Sequence, residues 1–170
     1  MGVANIFTAI TVLASAAFCA GALAADAPAK PRVTTGTDKE LSRGRYIVAI
    51  SGCNDCHTAG YLLKGGKIPE KDWLTGSTVG WRGSWGTTYP TNLRLYFQDI
   101  NEAQWVQLAR EMRRLPPMPY FSLNAMSEAD VRAIFKYIRS LGPAGQPAPK
   151  FVPPGQVPQQ PYVQFPDAAN

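Results

Sequence analysis

The chain has 170 residues, the length of one domain with some non-globular extension. Seventeen Lys and Arg against twelve Asp and Glu give a net charge of +5, which suits an acidic partner. One histidine and three cysteines exclude any site that needs two imidazoles, and leave too few ligands for a structural zinc built from two pairs.

From Ile6 to Leu23 the chain is apolar or small, and Ala22–Leu23–Ala24 stands before Ala25 and Asp26. That pattern reads as a secretory signal peptide over 1–24, cleaved near Ala24, with export to the periplasm. An uncleaved membrane anchor is the alternative, because the apolar run is nearly long enough to span a bilayer. No charged side chain precedes Asp26, so the whole net charge belongs to the mature chain, in which no membrane span is expected. Export excludes nucleic acid as a partner and leaves Cys53 and Cys56 in an oxidising compartment. Residues 25–36 read as a flexible N-terminal segment. Next, Leu41, Tyr46, Ile47, Val48 and Ile50 recur at a mostly helical spacing, which predicts a helix over about Asp38 to Gly52.

The helix runs into "SGCNDCHTAG" (51–60), where Cys53, Cys56 and His57 stand together. Four readings compete. Zinc lacks ligands, and a disulfide between residues three apart closes almost no loop and stabilises little. A thioredoxin-like dithiol expects a preceding strand, whereas the preceding spacing is helical. The fourth reading, C-x-x-C-H, is covalent attachment of a c-type haem. Thiols at i and i+3 on a helical turn can reach two vinyl groups of one porphyrin, and the next residue then presents its imidazole to the iron.

Between His57 and Ile100 lies a long loop holding seven glycines with Trp73, Trp81 and Trp85. Glycine lets backbone approach a flat ligand, and an indole offers apolar area with one N–H donor, for a haem propionate or simply for core packing. Arg82 and Arg94 read as propionate partners or as solvated surface charges. A second helix is predicted over about Glu102 to Leu115, capped by Asn101 with Gln104, and a third over about Glu128 to Leu141, capped by Ser127 and ended by Gly142 and Pro143. No alternating strands are legible, so the class expected is all-α, with three main helices.

A haem bound by His57 in a chain with no second histidine leaves a methionine as the expected second axial ligand, a choice that favours Fe(II). Met112 lies on the apolar face of the second helix and reads as core. Met126 directly precedes an N-cap, where a hydrophobic staple suffices to explain it. Met118 sits in "LPPMPY", stiffened by Pro117 and Pro119, and is the preferred ligand, with Met126 the runner-up. After Gly142 eight of the fifteen prolines crowd into 28 residues with two charged side chains, an extended tail over 143–170 that reads as a spacer. Its alternative role is to pack on its own domain or on a partner through Phe151, Tyr162 and Phe165.

"LSRGRYIVAISGCNDCHT", "GTTYPTNL" and "LPPMPYFSLNAMSEADVRAIFKYIRSLGP" together resemble the class I c-type cytochromes, over roughly Thr37 to Gly142. The likeness is greatest to periplasmic mono-haem cytochromes and to the cytochrome domains of quinoprotein dehydrogenase complexes. Arg94 departs from it, since relatives often carry Thr there. The resemblance implies a cytochrome c fold over 37–142, with long loops wrapped around one haem c. Cys53, Cys56 and His57 then hold the haem, with Met118 as its axial ligand. It also implies a carbonyl that accepts the second N–H of His57. In the family such a carbonyl often lies in a Pro-containing loop, which Pro69 in "KIPEKD" resembles. The function expected is a non-enzymatic periplasmic one-electron carrier serving redox partner proteins with an acidic docking surface. The alternatives are an electron-transfer subunit fixed in a dehydrogenase complex and, further off, a haem peroxidase or gas-binding protein.

Overall fold

A computed structural model describes residues 1–2 and 36–166. The expected signal peptide (1–24) and N-terminal segment (25–36) therefore lie, apart from Met1, Gly2 and Gly36, outside the described residues. In chain order the elements are α1 (Gly36–Ile50), α2 (Cys53–His57), a 3-10 turn (Glu70–Asp72), β1 (Gly80–Gly83), β2 (Gly86–Thr88), α3 (Leu93–Tyr96), α4 (Glu102–Glu111), α5 (Tyr120–Asn124), α6 (Glu128–Ser140) and β3 (Tyr162–Gln164).

Local hydrogen bonding sets the helix ends. Asn101 accepts from the Gln104 N–H at 2.9 Å while the Gln104 side chain accepts from the Asn101 N–H at 2.8 Å, a reciprocal capping box that starts α4. Ser127 starts α6 by accepting from the Asp130 N–H at 3.2 Å. The second helix stops at Glu111 rather than Leu115 because the Asn124 amide takes the Ala109 carbonyl at 2.7 Å, the acceptor residue 113 would otherwise use. Gly52, at φ 72°, supplies the left-handed turn that separates α1 from α2.

α1 crosses α6 at Gly44. A Cβ there would collide with the Ala133 carbonyl and stand 2.7 Å from Tyr137 Cβ. Glycine costs about 1 kcal/mol relative to alanine inside a helix, and here it permits the close crossing. Ion pairs Arg43–Asp130 and Lys136–Glu40, each 2.8 Å, flank the crossing. Below it Ile47 and Val48 meet Val131, Ile134 and Ile138 in the core. Phe97, fully buried, packs its ring tilted against Trp105 with centroids 4.6 Å apart, and the Trp105 indole donates to the Val131 carbonyl at 2.9 Å and locks α4 onto α6.

The all-α, three-helix expectation is overturned. Six α-helices are accompanied by a three-stranded mixed sheet of order β2-β1-β3 among the described residues. β1 pairs antiparallel with β2 (Trp81 opposite Thr88) and parallel with β3 (Trp81 opposite Val163). Strands of three and four residues are too short to show period-two alternation, and two of them are opened by glycine. The third comes from the Pro-rich segment, some eighty residues further along. That segment lies along the body instead of extending from it. Thr87 and Val152 exchange backbone hydrogen bonds at 2.7 and 3.0 Å, Gly80 donates to the Pro161 carbonyl at 2.8 Å, and Phe165 donates to the Arg82 carbonyl at 2.7 Å.

Candidate functional site

α2 is one turn long and carries all three residues of the Cys–His cluster. Its underside is braced by Asn54 and Thr58, both buried: Thr58 Oγ1 donates to Asn54 Oδ1 at 2.7 Å and accepts from the Leu74 N–H at 2.8 Å. The free face of the turn lines a cavity of about 550 Å³ with mainly apolar walls, a volume in the range of cofactor pockets. Cys53, Cys56 and His57 all reach it. So do Met112, Met118 and Met126. The packing thus brings every candidate ligand to one space, including the Met112 that its helix spacing assigns to the core and that is also 9% exposed there.

His57 Nδ1 lies 2.7 Å from the Thr91 carbonyl oxygen. A carbonyl only accepts, so Nδ1 carries the proton and Nε2 keeps its lone pair. Burial lowers the imidazole pKa below its ordinary value, against the opposing pull of the Thr91 hydrogen bond, so the ring is neutral at neutral pH. Both cysteines are free thiols. Burial pushes Cys53 up to about 11, and Cys56 is raised by burial and by the neighbouring Asp55 charge. A redox dithiol needs a thiolate stabilised below its ordinary pKa; this environment does the reverse. Two neutral thiols, a neutral imidazole with its outer nitrogen already bonded and three thioethers around an apolar cavity are a donor set that fits a haem c. Among the described residues no group of three or more His, Cys, Asp or Glu is placed to hold a metal ion by itself.

Several expectations are corrected here. The acceptor for His57 is Thr91, following Pro90, and not the loop at Pro69. Arg94 is neither a cavity residue nor a surface charge: it is 4% exposed and its guanidinium donates to backbone carbonyls, those of Leu141, Gly142, Lys71 and Trp73. Arg82 stacks on Tyr162 and donates to the Gln156 carbonyl at 2.8 Å, pinning the C-terminal segment. Trp73 takes the core-packing alternative, with its indole donating to the Ile68 carbonyl at 2.9 Å. Of the loop indoles, Trp81 alone lines the cavity, while the buried Nε1 of Trp85 has no partner among the described residues. Sequence reasoning missed Thr91, which offers only a backbone atom, and Pro149, while Phe151 lines the cavity in keeping with the alternative that the C-terminal segment packs on its own domain. Asn92, an N-cap ahead of the short α3, was the legible signal next to Thr91.

No family model matches the chain, and no solved structure matches it. Two curated relatives do. A subunit of the nicotinate dehydrogenase of Pseudomonas putida is 30% identical over 129 residues, 70% of this chain and 10% of that protein. The fructose dehydrogenase cytochrome subunit of Gluconobacter japonicus is 24% identical over 151 residues, 82% of this chain and 29% of that protein. The chain therefore spans less than a third of the length of either relative. It is similar to subunits of two dehydrogenases, one of them a cytochrome subunit, and among the described residues no helix is long and apolar enough to cross a membrane.

Proposed function

We propose that the chain is an exported electron-transfer protein that holds one haem c covalently and passes single electrons for a dehydrogenase. The observation that carries the reading is the convergence of Cys53, Cys56 and a neutral, Nδ1-bonded His57 on one apolar cavity with the methionine thioethers. Cys53 and Cys56 would hold the group through two thioether bonds, and His57 Nε2 and Met118 would be the protein's ligands to its iron. Such a group supplies a one-electron Fe(III)/Fe(II) couple. The protein's share is to hold, orient and keep dry. Phe97, Trp105, Ile134 and Ile138 wall the cavity with hydrocarbon, and Pro149 and Phe151 of the C-terminal segment close part of its rim.

The two relatives, each named as part of a dehydrogenase, favour a second reading in which the chain is fixed in a dehydrogenase complex rather than freely diffusing. The net charge of +5 supports steered docking on an acidic surface in either case. The signal-like N-terminus supports export to the periplasm as part of this reading. Acid–acetone extraction should leave haem on the wild-type polypeptide, whereas the Cys53→Ala, Cys56→Ala double variant should release it. Complete extraction from the wild type would sink the proposal. Co-purification with a dehydrogenase from the native host separates the fixed subunit from the free carrier.

A further inference from the structure

One short stretch, Pro90 to Asn92, grips His57 from two sides. Its Thr91 carbonyl accepts from His57 Nδ1 at 2.7 Å. The His57 carbonyl in turn accepts from the Gly76 N–H at 2.7 Å, and Gly76 presses on the same stretch. A Cβ on Gly76 would stand 2.9 Å from both the Pro90 carbonyl oxygen and the Asn92 nitrogen.

Asn92 is 2% exposed and uses both ends of its amide. Oδ1 accepts from the Leu95 N–H at 3.1 Å and caps α3. Nδ2 points the other way, donating to the Ala144 carbonyl at 2.8 Å and the Gln146 carbonyl at 3.1 Å. Between those two acceptors Gly145, at φ 76°, comes so near that a Cβ would lie 3.0 Å from Nδ2. The carbonyl that orients the imidazole is thus moored, one residue on, to the beginning of the C-terminal segment.

We propose that Asn92 is a positioning residue: its Nδ2 ties the Thr91 backbone to the segment at Ala144 and Gln146, and so fixes the direction and basicity of the His57 imidazole. The inference rests on the haem reading above. An imidazole that donates its outer N–H to a rigid acceptor is a more basic ligand and favours the oxidised metal. If the acceptor's backbone loses its mooring, the hydrogen bond loosens and the balance moves toward the reduced form. Capping alone has no such consequence, since a lost cap lowers stability and leaves the ligand's electronics alone.

The test uses holoprotein. Asn92→Ser keeps a capping oxygen and drops the two donated hydrogen bonds, while Gly145→Ala keeps Asn92 and pushes on Nδ2 from outside. Asn101→Ala, which removes the cap of α4, controls for lost stability alone. At a fixed potential the ratio of reduced to oxidised protein should rise in Asn92→Ser, and move in the same sense in Gly145→Ala. The paramagnetically shifted NMR resonances of the His57 ring should move with it. Asn101→Ala should change neither. Unchanged midpoint and ring resonances in a stably folded Asn92→Ser or Gly145→Ala holoprotein would overturn the mooring and leave the haem reading standing. A wild-type chain without covalent haem overturns the haem reading, and the inference with it.

Discussion

Replacing Arg94 with methionine keeps much of the side chain's length and removes all its donors. In the parent the guanidinium is 4% exposed, hydrogen-bonded to the carbonyls of Leu141 and Gly142 at the end of α6 and to that of Lys71 at 3.1 Å. Burial pulls its pKa below the ordinary arginine value, yet the group stays charged. Two terms oppose each other. The carbonyls of Leu141, Gly142, Lys71 and Trp73 lose their donor, at about 1–3 kcal/mol each where the acceptor is left unsatisfied, and losing a cation at the negative end of a helix adds to that cost. Against it, a buried charge no longer has to be desolvated, a relief that can reach a few kcal/mol. Because the bonds lost are part-buried or buried and all leave at once, the first term wins, with a net loss of about 2–4 kcal/mol. At about 3 °C per kcal/mol for a domain of this size, the melting temperature should fall by about 6–12 °C. Thermal melts followed by far-ultraviolet circular dichroism give that number, and redox titration of the same sample gives the midpoint. An anchoring role predicts a lower melting temperature with an unmoved midpoint. A fall of less than about 2 °C, or a moved midpoint with full stability, would refute the anchoring argument and return Arg94 to the cofactor.

Met118→Ala should abolish the weak long-wavelength band of a thioether-bound ferric haem and lower the midpoint. Met126→Leu should keep the band and cost under about 1.5 kcal/mol; the opposite pattern moves the ligand to Met126. Gly44→Ala should destabilise by about 1–3 kcal/mol in chemical denaturation, because the α1–α6 crossing has no room for a methyl and the gain in helix propensity is smaller. Glu70 accepts from Tyr137 at 2.7 Å and Arg45 at 2.8 Å; burial alone would raise its pKa, but these bonds hold it below the ordinary 4.5. A depressed carboxylate stabilises the fold above its unfolded pKa, and the contribution is lost as the pH falls from about 4.5 through the folded value. Tyr137→Phe should therefore flatten the fall of melting temperature with acidification in that window, and an unaltered slope would show that the pair contributes nothing.

The parts legible in the sequence are those whose cause is a few residues away. Asn101 with Gln104, and Ser127 with Asp130, announce the starts of α4 and α6 because a capping side chain must sit three residues from the N–H it satisfies. Cys53, Cys56 and His57 share one turn of α2, so their spacing alone places them on one face. The methionines could be counted as candidates, but all three reach the cavity, and neither proline stiffness nor helix periodicity separates them by position.

Only the tertiary structure decided the rest. β1, β2 and β3 meet through backbone N–H and C=O groups that every residue carries, so pairing between Trp81 and Val163 leaves no mark on either segment. The same holds for the acceptor of His57: Thr91 contributes a carbonyl, and any residue at that place in space would have served. Arg94 looked like a surface or cofactor charge because its acceptors, at Lys71 and at the end of α6, are also main-chain atoms 23 and 47–48 residues away. The Pro-rich composition after Gly142 reads as a spacer or as a segment packed on its own domain, and the choice between the two comes only from backbone pairing such as that of Thr87 with Val152. Side-chain chemistry at short range is written into the order of residues, whereas hydrogen bonding between generic backbone groups acquires its partners only when the chain has folded.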